Sequence, residues 1–411
     1  MKKILIILDG ASGLSVRIFG GKTSLEMAET PNLDYFAEKG KMGYMYPIGE
    51  NKVPSTDDAI VSILGNNPLL SKRGVFEAIA MNMKFARGDL AVRTNFGTLE
   101  NLKTKKVIDR RAGRTLTLKE AEILSRALNK TIKLPCKFEF KPTIQHRGVL
   151  VLRGGFSDNV SNTDPEHISG GSNNFKFSVP LDDDENSKYT CNILNDFITQ
   201  SFKILDNHPV NIIRKKKGLL PANMIFTRGA GMEIPKLKKY KTWMSVNSYP
   251  LMVGISKVSG MKTFSFEYPK LKKMDVYDNL YYSLNKSIKF AVKTIKKQHK
   301  NFIGAYVYFK ETDVPGHDNK PYEKKKMLEI IDKNFFGFLR KFVEGKDVEV
   351  VVTCDHSTPC KLKAHSANPV PVLVYGGESD EANRFCEREA RRGSLGKMYG
   401  GELFKKTGLD R

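Results

Sequence analysis

A chain of 411 residues exceeds the size at which one hydrophobic core stops growing, so one large domain with an insertion, or two domains, is expected. Lys and Arg total 68 against 45 Asp and Glu, a formal net charge of +23, mostly as dispersed lysine with denser groups at Lys215–Lys217, Lys236–Lys239 and Lys324–Lys326. Such a balance steers anionic ligands, but there is neither zinc-finger spacing nor an arginine–aromatic RNA motif, which points away from a nucleic-acid partner. No apolar run approaches the roughly twenty residues of a membrane span. The apolar run after Met1-Lys2-Lys3 is too short for a secretory signal and ends in Asp9-Gly10. Five cysteines, Cys136, Cys191, Cys354, Cys360 and Cys386, form no regular framework and fit reduced thiols in a cytoplasmic protein.

In chain order, Lys3-Ile4-Leu5-Ile6-Ile7-Leu8 predicts a strand that ends in Asp9. A helix over 24–40, a strand over 43–45 and a helix over 57–64 come next, the pattern of an α/β sheet. The composition changes near Gly88. Leu90 to Thr98 alternates like a half-exposed antiparallel strand, Val107 to Arg111 reads as another, Leu118 to Leu128 as an amphipathic helix, and Phe138–Phe140 and Gly148–Leu152 as more strands. Residues 156–187, rich in Ser, Asn, Asp and Gly, predict a loop. Helix returns over 191–205. Strands are then expected at 222–227, 252–254, 302–309, 348–353 and 370–375, with long helices over 275–297 and 322–342. The expected organisation is an α/β core over 1–85 and 188–411, with a smaller α+β cap inserted at 86–187.

Chemistry concentrates where strands end. Val348 to Val352 runs into Thr353-Cys354-Asp355-His356-Ser357-Thr358-Pro359-Cys360, with His365 nine residues after His356. The strand over 302–309 runs into Asp313-Val314-Pro315-Gly316-His317-Asp318. With Asp9, three strands end in carboxylate or imidazole groups, at the edge where α/β sheets place their sites. An Asp at a strand end also serves as a turn or cap residue. Only seven histidines occur, however, and His317, His356 and His365 all fall in these two segments. Asp9, Asp313, His317, Asp355, His356 and His365 could therefore hold two divalent ions.

The loop Val53-Pro54-Ser55-Thr56-Asp57-Asp58 opens the helix over 57–64. A hydroxyl there is either the N-cap or, beside a metal ion, a nucleophile with a lowered pKa. Arg93, Asn95, Arg110, Arg111 and Arg114 of the expected cap could grip a compact polyanion, since guanidinium groups bind phosphate and carboxylate in a bidentate way.

With these residues in place, the chain resembles the archaeal-type cofactor-independent (2,3-bisphosphoglycerate-independent) phosphoglycerate mutases of the alkaline phosphatase superfamily. The resemblance is carried by Ile7-Leu8-Asp9-Gly10, Ser62-Ile63-Leu64-Gly65, Arg73-Gly74 with Glu77-Ala78, Gly88-Asp89-Leu90-Ala91 and Asn95-Phe96. It continues through Asp109 to Arg114, His146-Arg147-Gly148, Thr163-Asp164-Pro165, Gly218-Leu219 with Ala222-Asn223, the Asp313 to Asp318 run, and Asp355 through His365-Ser366. It implies an alkaline phosphatase-like core with a substrate-binding cap, and an isomerase of glycolysis and gluconeogenesis that interconverts 3-phosphoglycerate and 2-phosphoglycerate.

The resemblance also implies roles for single residues in the matched motifs. Asp9, the nucleophile, Asp355 and His356 would hold one ion, and Asp313, His317 and His365 the other; manganese, zinc or cobalt are the ions implied. The nucleophile would carry the phosphoryl group as a phosphoenzyme. Arg93, Asn95, Arg110, Arg111, Arg114, Arg147 and Arg153 would bind substrate, with His146 and Asp164 as acid or base. Alignment through Ser62-Ile63-Leu64-Gly65 puts Ser55-Thr56-Asp57 where the family has Gly-Ser-Asp, which makes Thr56 the nucleophile with Ser55 as its rival. Ser12-Gly13-Leu14-Ser15 replaces the family's Gly-Asp-Arg after Asp9-Gly10, and Asn319-Lys320 replaces Gly-Asp after Asp318. These changes leave every implied ligand in place and alter its rim, so the alternatives are a phosphatase or phosphotransferase on another phosphorylated metabolite, or a non-catalytic binder of metal and polyanion.

Overall fold

The computed structural model describes residues 1–165, 174–267 and 275–410. Its strands are β1 (Lys3–Leu8), β2 (Gly40–Tyr46), β3 (Leu90–Leu99), β4 (Val107–Asp109), β5 (Phe138–Pro142), β6 (Arg147–Leu152) and β7 (Met224–Gly231). Beyond these come β8 (Trp243–Val246), β9 (Lys262–Phe264), β10 (Gly304–Phe309), β11 (Glu349–Thr353), β12 (Val370–Tyr375) and β13 (Gly396–Tyr399). The chain divides into two compact units. One takes Met1–Ser71 and most of the sequence from Lys236 onward; the other is built on Lys72–Pro235.

The first unit holds an eight-stranded sheet in the order β13-β2-β12-β11-β1-β10-β8-β9. β11, β1, β10, β8 and β9 are mutually parallel, while β12 is antiparallel to both β11 and β2. Every residue of β1 and β10 is buried, as expected for central parallel strands covered on both faces, and this is why they read as unbroken apolar runs. The register sets Leu8 of β1 beside Phe309 of β10, and Ile7 beside Thr353 of β11. Three neighbouring parallel strands thus end together, delivering Asp9, the Asp313 segment and Asp355 to one edge.

The second unit holds a five-stranded antiparallel sheet in the order β4-β3-β6-β5, with β7 also paired to β3. One face carries the helices Leu118–Thr131 and Glu185–Asp206, whose Leu124, Leu128 and Phe197 share a core with Phe96, Phe140 and Phe226. On the other face Val75 and Ala78, of the helix Arg73–Ala80, pack with Ala91, Val149 and Val151. β3 is therefore buried along its whole length and not half-exposed, because the second helix layer covers the face that its alternation leaves to solvent.

Several expectations are corrected. The second unit extends over Lys72–Pro235, beyond the expected 86–187, since the helix Arg73–Ala80, the helix Glu185–Asp206 and β7 all belong to it. The segment 222–227 does not rejoin the first sheet; its strand pairs with β3. The return comes at β8, a four-residue strand too short to announce itself. Residues 252–254 lie inside the helix Pro250–Val258, where proline occupies the first turn; a short apolar run does not by itself separate helix from strand. The helix expected over 24–40 is two, Ser24–Met27 and Pro31–Glu38, broken before Pro31. The loop over 156–187 gives way to helix at Glu185, and 166–173 within it lie outside the described residues.

Candidate metal centre

Asp9 leaves β1 buried, its backbone N–H donating to the Phe309 carbonyl at 2.9 Å and its own carbonyl accepting from Thr312 Oγ1 at 2.5 Å. Gly10 turns with φ 56°; a Cβ there would stand 2.6 Å from both Asp313 Oδ1 and Thr358 Oγ1. Only glycine meets that conformation and that approach together. The Gly10 and His356 N–H groups both donate to Asp355 Oδ1 at 3.0 Å, and the Tyr308 hydroxyl donates to Asp355 Oδ2 at 3.2 Å.

Two sets of donor atoms converge, each within 4.8 Å: Asp313, His317 and His365, and Asp9, Asp313 and His356. The first is the triad expected for one ion. In the second, Asp313 stands where Asp355 was expected, and Asp355 Oδ2 lies 3.4 Å from His356 Nε2. The His356 and His365 rings stack with centroids 3.6 Å apart.

The three imidazoles are oriented alike. His317 Nδ1 lies 3.0 Å from the Lys363 carbonyl and His365 Nδ1 2.8 Å from the Pro54 carbonyl, so each donates its Nδ1 proton and presents Nε2. His356 Nδ1 lies 3.0 Å from Thr358 Oγ1, whose own proton goes to Asp313 Oδ1 at 2.8 Å, so His356 too must donate from Nδ1. An imidazole fixed at Nδ1 by an oxygen, with Nε2 turned inward, is a metal-ligand arrangement.

The electrostatics agree. Burial, and behind it the charge of Asp313, pushes the Asp9 carboxyl up to about 7. Burial and the charge of Asp9 raise Asp355 well above the usual carboxylate range. Desolvation would raise Asp313 as well, but His317 and His365 outweigh it and hold Asp313 well below that range. Desolvation, then His356, lowers His365 to about 4, leaving it neutral. Asp9 Oδ1 is buried with no hydrogen-bond partner. Crowded carboxylates, the neutral imidazole of His365 and an orphaned carboxylate oxygen fit divalent cations, which would offset each of these costs.

The hydroxyl loop separates its two candidates. Ser55 is the N-cap of the helix Thr56–Ile63; its Oγ donates to Asp57 Oδ1 or Asp58 Oδ2, each at 2.8 Å. Thr56 Oγ1 lies 3.3 Å from His356 Nε2, beside the donor set. Ser55 thus takes the capping role, and Thr56, the expected nucleophile, lies beside His356.

In the second unit, Asp109 Oδ1 accepts from the Arg111 N–H at 2.6 Å and the Gly113 N–H at 2.9 Å, building the turn that carries Arg110, Arg111 and Arg114. Arg110 grips Asp164 in a bidentate way, Nε to Oδ1 at 2.9 Å and Nη2 to Oδ2 at 3.0 Å; Asn95 Nδ2 adds a bond to Oδ2 at 2.7 Å. His146 is buried, and desolvation followed by Arg147, Arg111, Arg93 and Arg114 lowers it well below its ordinary value, so the ring is neutral. Its Nδ1 has no hydrogen-bond partner. Arg93 pairs with Glu77, Nε to Oε1 at 3.3 Å, with both side chains buried.

Arg153 stands apart. It lies just past the C-terminal end of β6, whereas Arg147 opens that strand, a separation of about 20 Å at ~3.3 Å per residue. Its guanidinium is spent on Asp89 at 2.6 Å and the Lys84 carbonyl at 2.5 Å. Residues given no role in the sequence reading include Glu77, the partner of Arg93, and Arg228, opposite Arg93 in the β3–β7 ladder. Near the metal donors they include Tyr308, Thr312 and Thr358. An Arg beside the Gly-Ala-Gly that ends β7 was the available signal for Arg228; the others act through tertiary contacts that leave no pattern in the chain.

A family model described as 2,3-bisphosphoglycerate-independent phosphoglycerate mutase matches residues 37–211. A protein of that name from Thermococcus kodakarensis is 35% identical over 415 residues, covering 98% of this chain and 95% of the relative. Its counterpart from Pyrococcus horikoshii is 36% identical with the same coverage. Among solved structures, the PH0037 protein from Pyrococcus horikoshii has a TM-score of 0.77 at 28% identity, covering 99% of this chain and 96% of that one. The cofactor-independent phosphoglycerate mutase from Thermoplasma acidophilum has a TM-score of 0.57 at 26% identity, covering 100% and 99%. Identity of this order, sustained from end to end of both chains, settles the kinship: the chain belongs to the 2,3-bisphosphoglycerate-independent phosphoglycerate mutase family.

Proposed function

We propose that this protein is a metal-dependent phosphoglycerate mutase of the cytoplasm, interconverting 3-phosphoglycerate and 2-phosphoglycerate without added bisphosphoglycerate, in glycolysis and gluconeogenesis. The observation that carries the reading is Thr56 Oγ1, 3.3 Å from His356 Nε2, a member of one of two converging donor sets. Asp313, His317 and His365 would hold one divalent ion, and Asp9, Asp355, His356 and Thr56 the second. Manganese, zinc or cobalt suits this mixed oxygen and nitrogen set. Such ions supply Lewis acidity that activates a hydroxyl and offsets phosphoryl charge.

Thr56 is the phosphoryl carrier in this scheme. As Oγ1 gives up its proton and bonds to phosphorus, the ester bond to the glycerate 3-oxygen breaks and that oxygen takes up a proton; the glycerate is retained, and its 2-hydroxyl then gives up its proton and takes the phosphoryl group back, returning the hydroxyl to Thr56. The Lys72–Pro235 unit serves as the substrate-binding cap, with Arg93, Arg110, Arg111, Arg114 and Arg147 for phosphate and carboxylate. Asp164 and Asn95 hold Arg110, which leaves Asp164 a poorer proton carrier than His146. Neutral His146 is the base for the attacking hydroxyl and, by microscopic reversibility, the acid for the departing one.

A phosphatase would share this metal chemistry and differ in its acceptor. Phosphorus NMR of 3-phosphoglycerate incubated with the manganese-loaded protein separates the two. The mutase reading predicts 2-phosphoglycerate with negligible inorganic phosphate, abolished by excess chelator; stoichiometric phosphate release would replace it with the phosphatase.

A further inference from the structure

Lys324 lies early in the helix Pro321–Ile331 and is only 1% exposed. Burying an ammonium group is costly unless something compensates it, and buried lysines ordinarily meet a carboxylate. Among the described residues Lys324 forms no ion pair. Its Nζ instead donates to two backbone carbonyls, that of Ser12 at 3.1 Å and that of Thr358 at 2.9 Å. Ser12 is in the turn after Asp9, and Thr358 in the turn after Asp355 and His356.

Both turns are built on this contact. The Thr358 N–H donates to the same Ser12 carbonyl at 3.0 Å. On its other side Ser12 Oγ donates to Glu387 Oε1 at 3.1 Å, the Gly13 N–H to the same oxygen at 2.8 Å, and Thr23 Oγ1 to Glu387 Oε2 at 2.7 Å. Thr358 in turn reaches both donor sets, giving its proton to Asp313 Oδ1 and accepting from His356 Nδ1. A shift of the Thr358 backbone therefore moves the oxygen that orients one ligand of each set. Glu387 and Lys324 together hold the start of the Ser12-Gly13-Leu14-Ser15 segment.

We propose that Lys324 is a positioning residue for the metal centre, clamping the turn after Asp9 to the turn after His356 so that Thr358 holds Asp313 and His356 in ligating orientation. The inference rests on the metal-centre reading above. Its effect on catalysis is indirect, with no contact to substrate, so removing it should weaken metal binding and leave substrate affinity alone.

The test is manganese affinity of the full chain, measured by competition with a chelator of known affinity, for wild type, Lys324→Met and Met327→Ala. Met327 is a fully buried core residue of the same helix, chosen to lower thermal stability without touching the clamp. Lys324→Met should bind manganese about 10- to 100-fold more weakly, the usual effect of losing a group that orients ligands. At saturating manganese its kcat should fall while KM for 3-phosphoglycerate stays within about twofold, and Met327→Ala should melt earlier with wild-type manganese affinity. Lys324→Gln, shorter and uncharged but still an N–H donor, serves if the Met variant does not fold, with at least a roughly fivefold loss of affinity expected. Wild-type affinity in the folded Lys324 variant, or an equal loss in Met327→Ala, would overturn the clamp. A wild type that takes up no manganese would instead remove the metal centre itself, and the clamp with it.

Discussion

Thr56 Oγ1 faces His356 Nε2 at 3.3 Å, while the hydroxyl of the preceding residue, Ser55, is directed to Asp57 and Asp58 of its own helix. One hydroxyl starts the helix and its neighbour lies beside the candidate donor set. Ser55→Ala should therefore cost about 1 kcal/mol of stability, as loss of an N-cap does, with kcat within a few-fold of wild type. Thr56→Ala should lose about four orders of magnitude or more in kcat at unchanged melting temperature, and Thr56→Ser should keep substantial activity. Steady-state kinetics beside thermal melts decide it; the assignment fails if Ser55→Ala is the inactive variant.

Metal uptake should expel protons. With Asp9 raised to about 7 by burial and by Asp313, and Asp355 raised by burial and by Asp9, the ion-free site holds protons near neutrality. Because these folded-state values lie above the unfolded ones, the carboxyls stabilise the ion-free fold fully only in acid, and that contribution is lost as pH rises through about 7. A bound cation takes the ionised form, so affinity falls as pH falls. His365, already neutral through its value of about 4, adds nothing to this release near neutral pH. Manganese calorimetry at about pH 6.5 in buffers of different ionisation enthalpy should register release of about one proton or more per site. Buffer-independent heats would contradict the protonated site.

The Arg93–Glu77 pair is buried on both sides, and breaking it strands a charge. Glu77→Ala should destabilise the fold by about 3–5 kcal/mol, read from urea unfolding. A loss under about 1 kcal/mol would mean that Arg93 is held by something else.

Arg110 and Arg153 should behave differently although both are arginines of one unit. Arg110→Ala should raise KM for 3-phosphoglycerate by about tenfold or more, as loss of a charge-assisted contact does. Arg153→Ala, at the far end of β6 and bound to Asp89, should lower the melting temperature and leave KM within about twofold. Equal effects on KM would put both at the substrate.

That the candidate ligands share one sheet edge was legible in the sequence because parallel strands advertise themselves. β1, β10 and β11 are continuous apolar runs, and the residues just past each strand land at one edge of the sheet, so Asp9, Asp313 and Asp355 could be grouped before any fold was seen. The motif alignment favours Thr56 over Ser55, and which of the two hydroxyls caps the helix depends on which side of the helix start each leaves. Lys324 looked like one of three consecutive surface lysines, since nothing in Lys-Lys-Lys marks the one that turns inward onto Ser12 and Thr358. β7 was placed in the wrong sheet because its residues fit either one, and only pairing with β3 decides.

The most direct test of the account is to trap the phosphoryl group. Manganese-loaded protein mixed with radiolabelled 3-phosphoglycerate, quenched in denaturant within a turnover and mapped by peptide mass spectrometry, should carry one phosphoryl group on Thr56, and none in the Thr56→Ala variant or after chelation. Rapid isomerisation with no label on the protein, or label on Ser55 in place of Thr56, would contradict it.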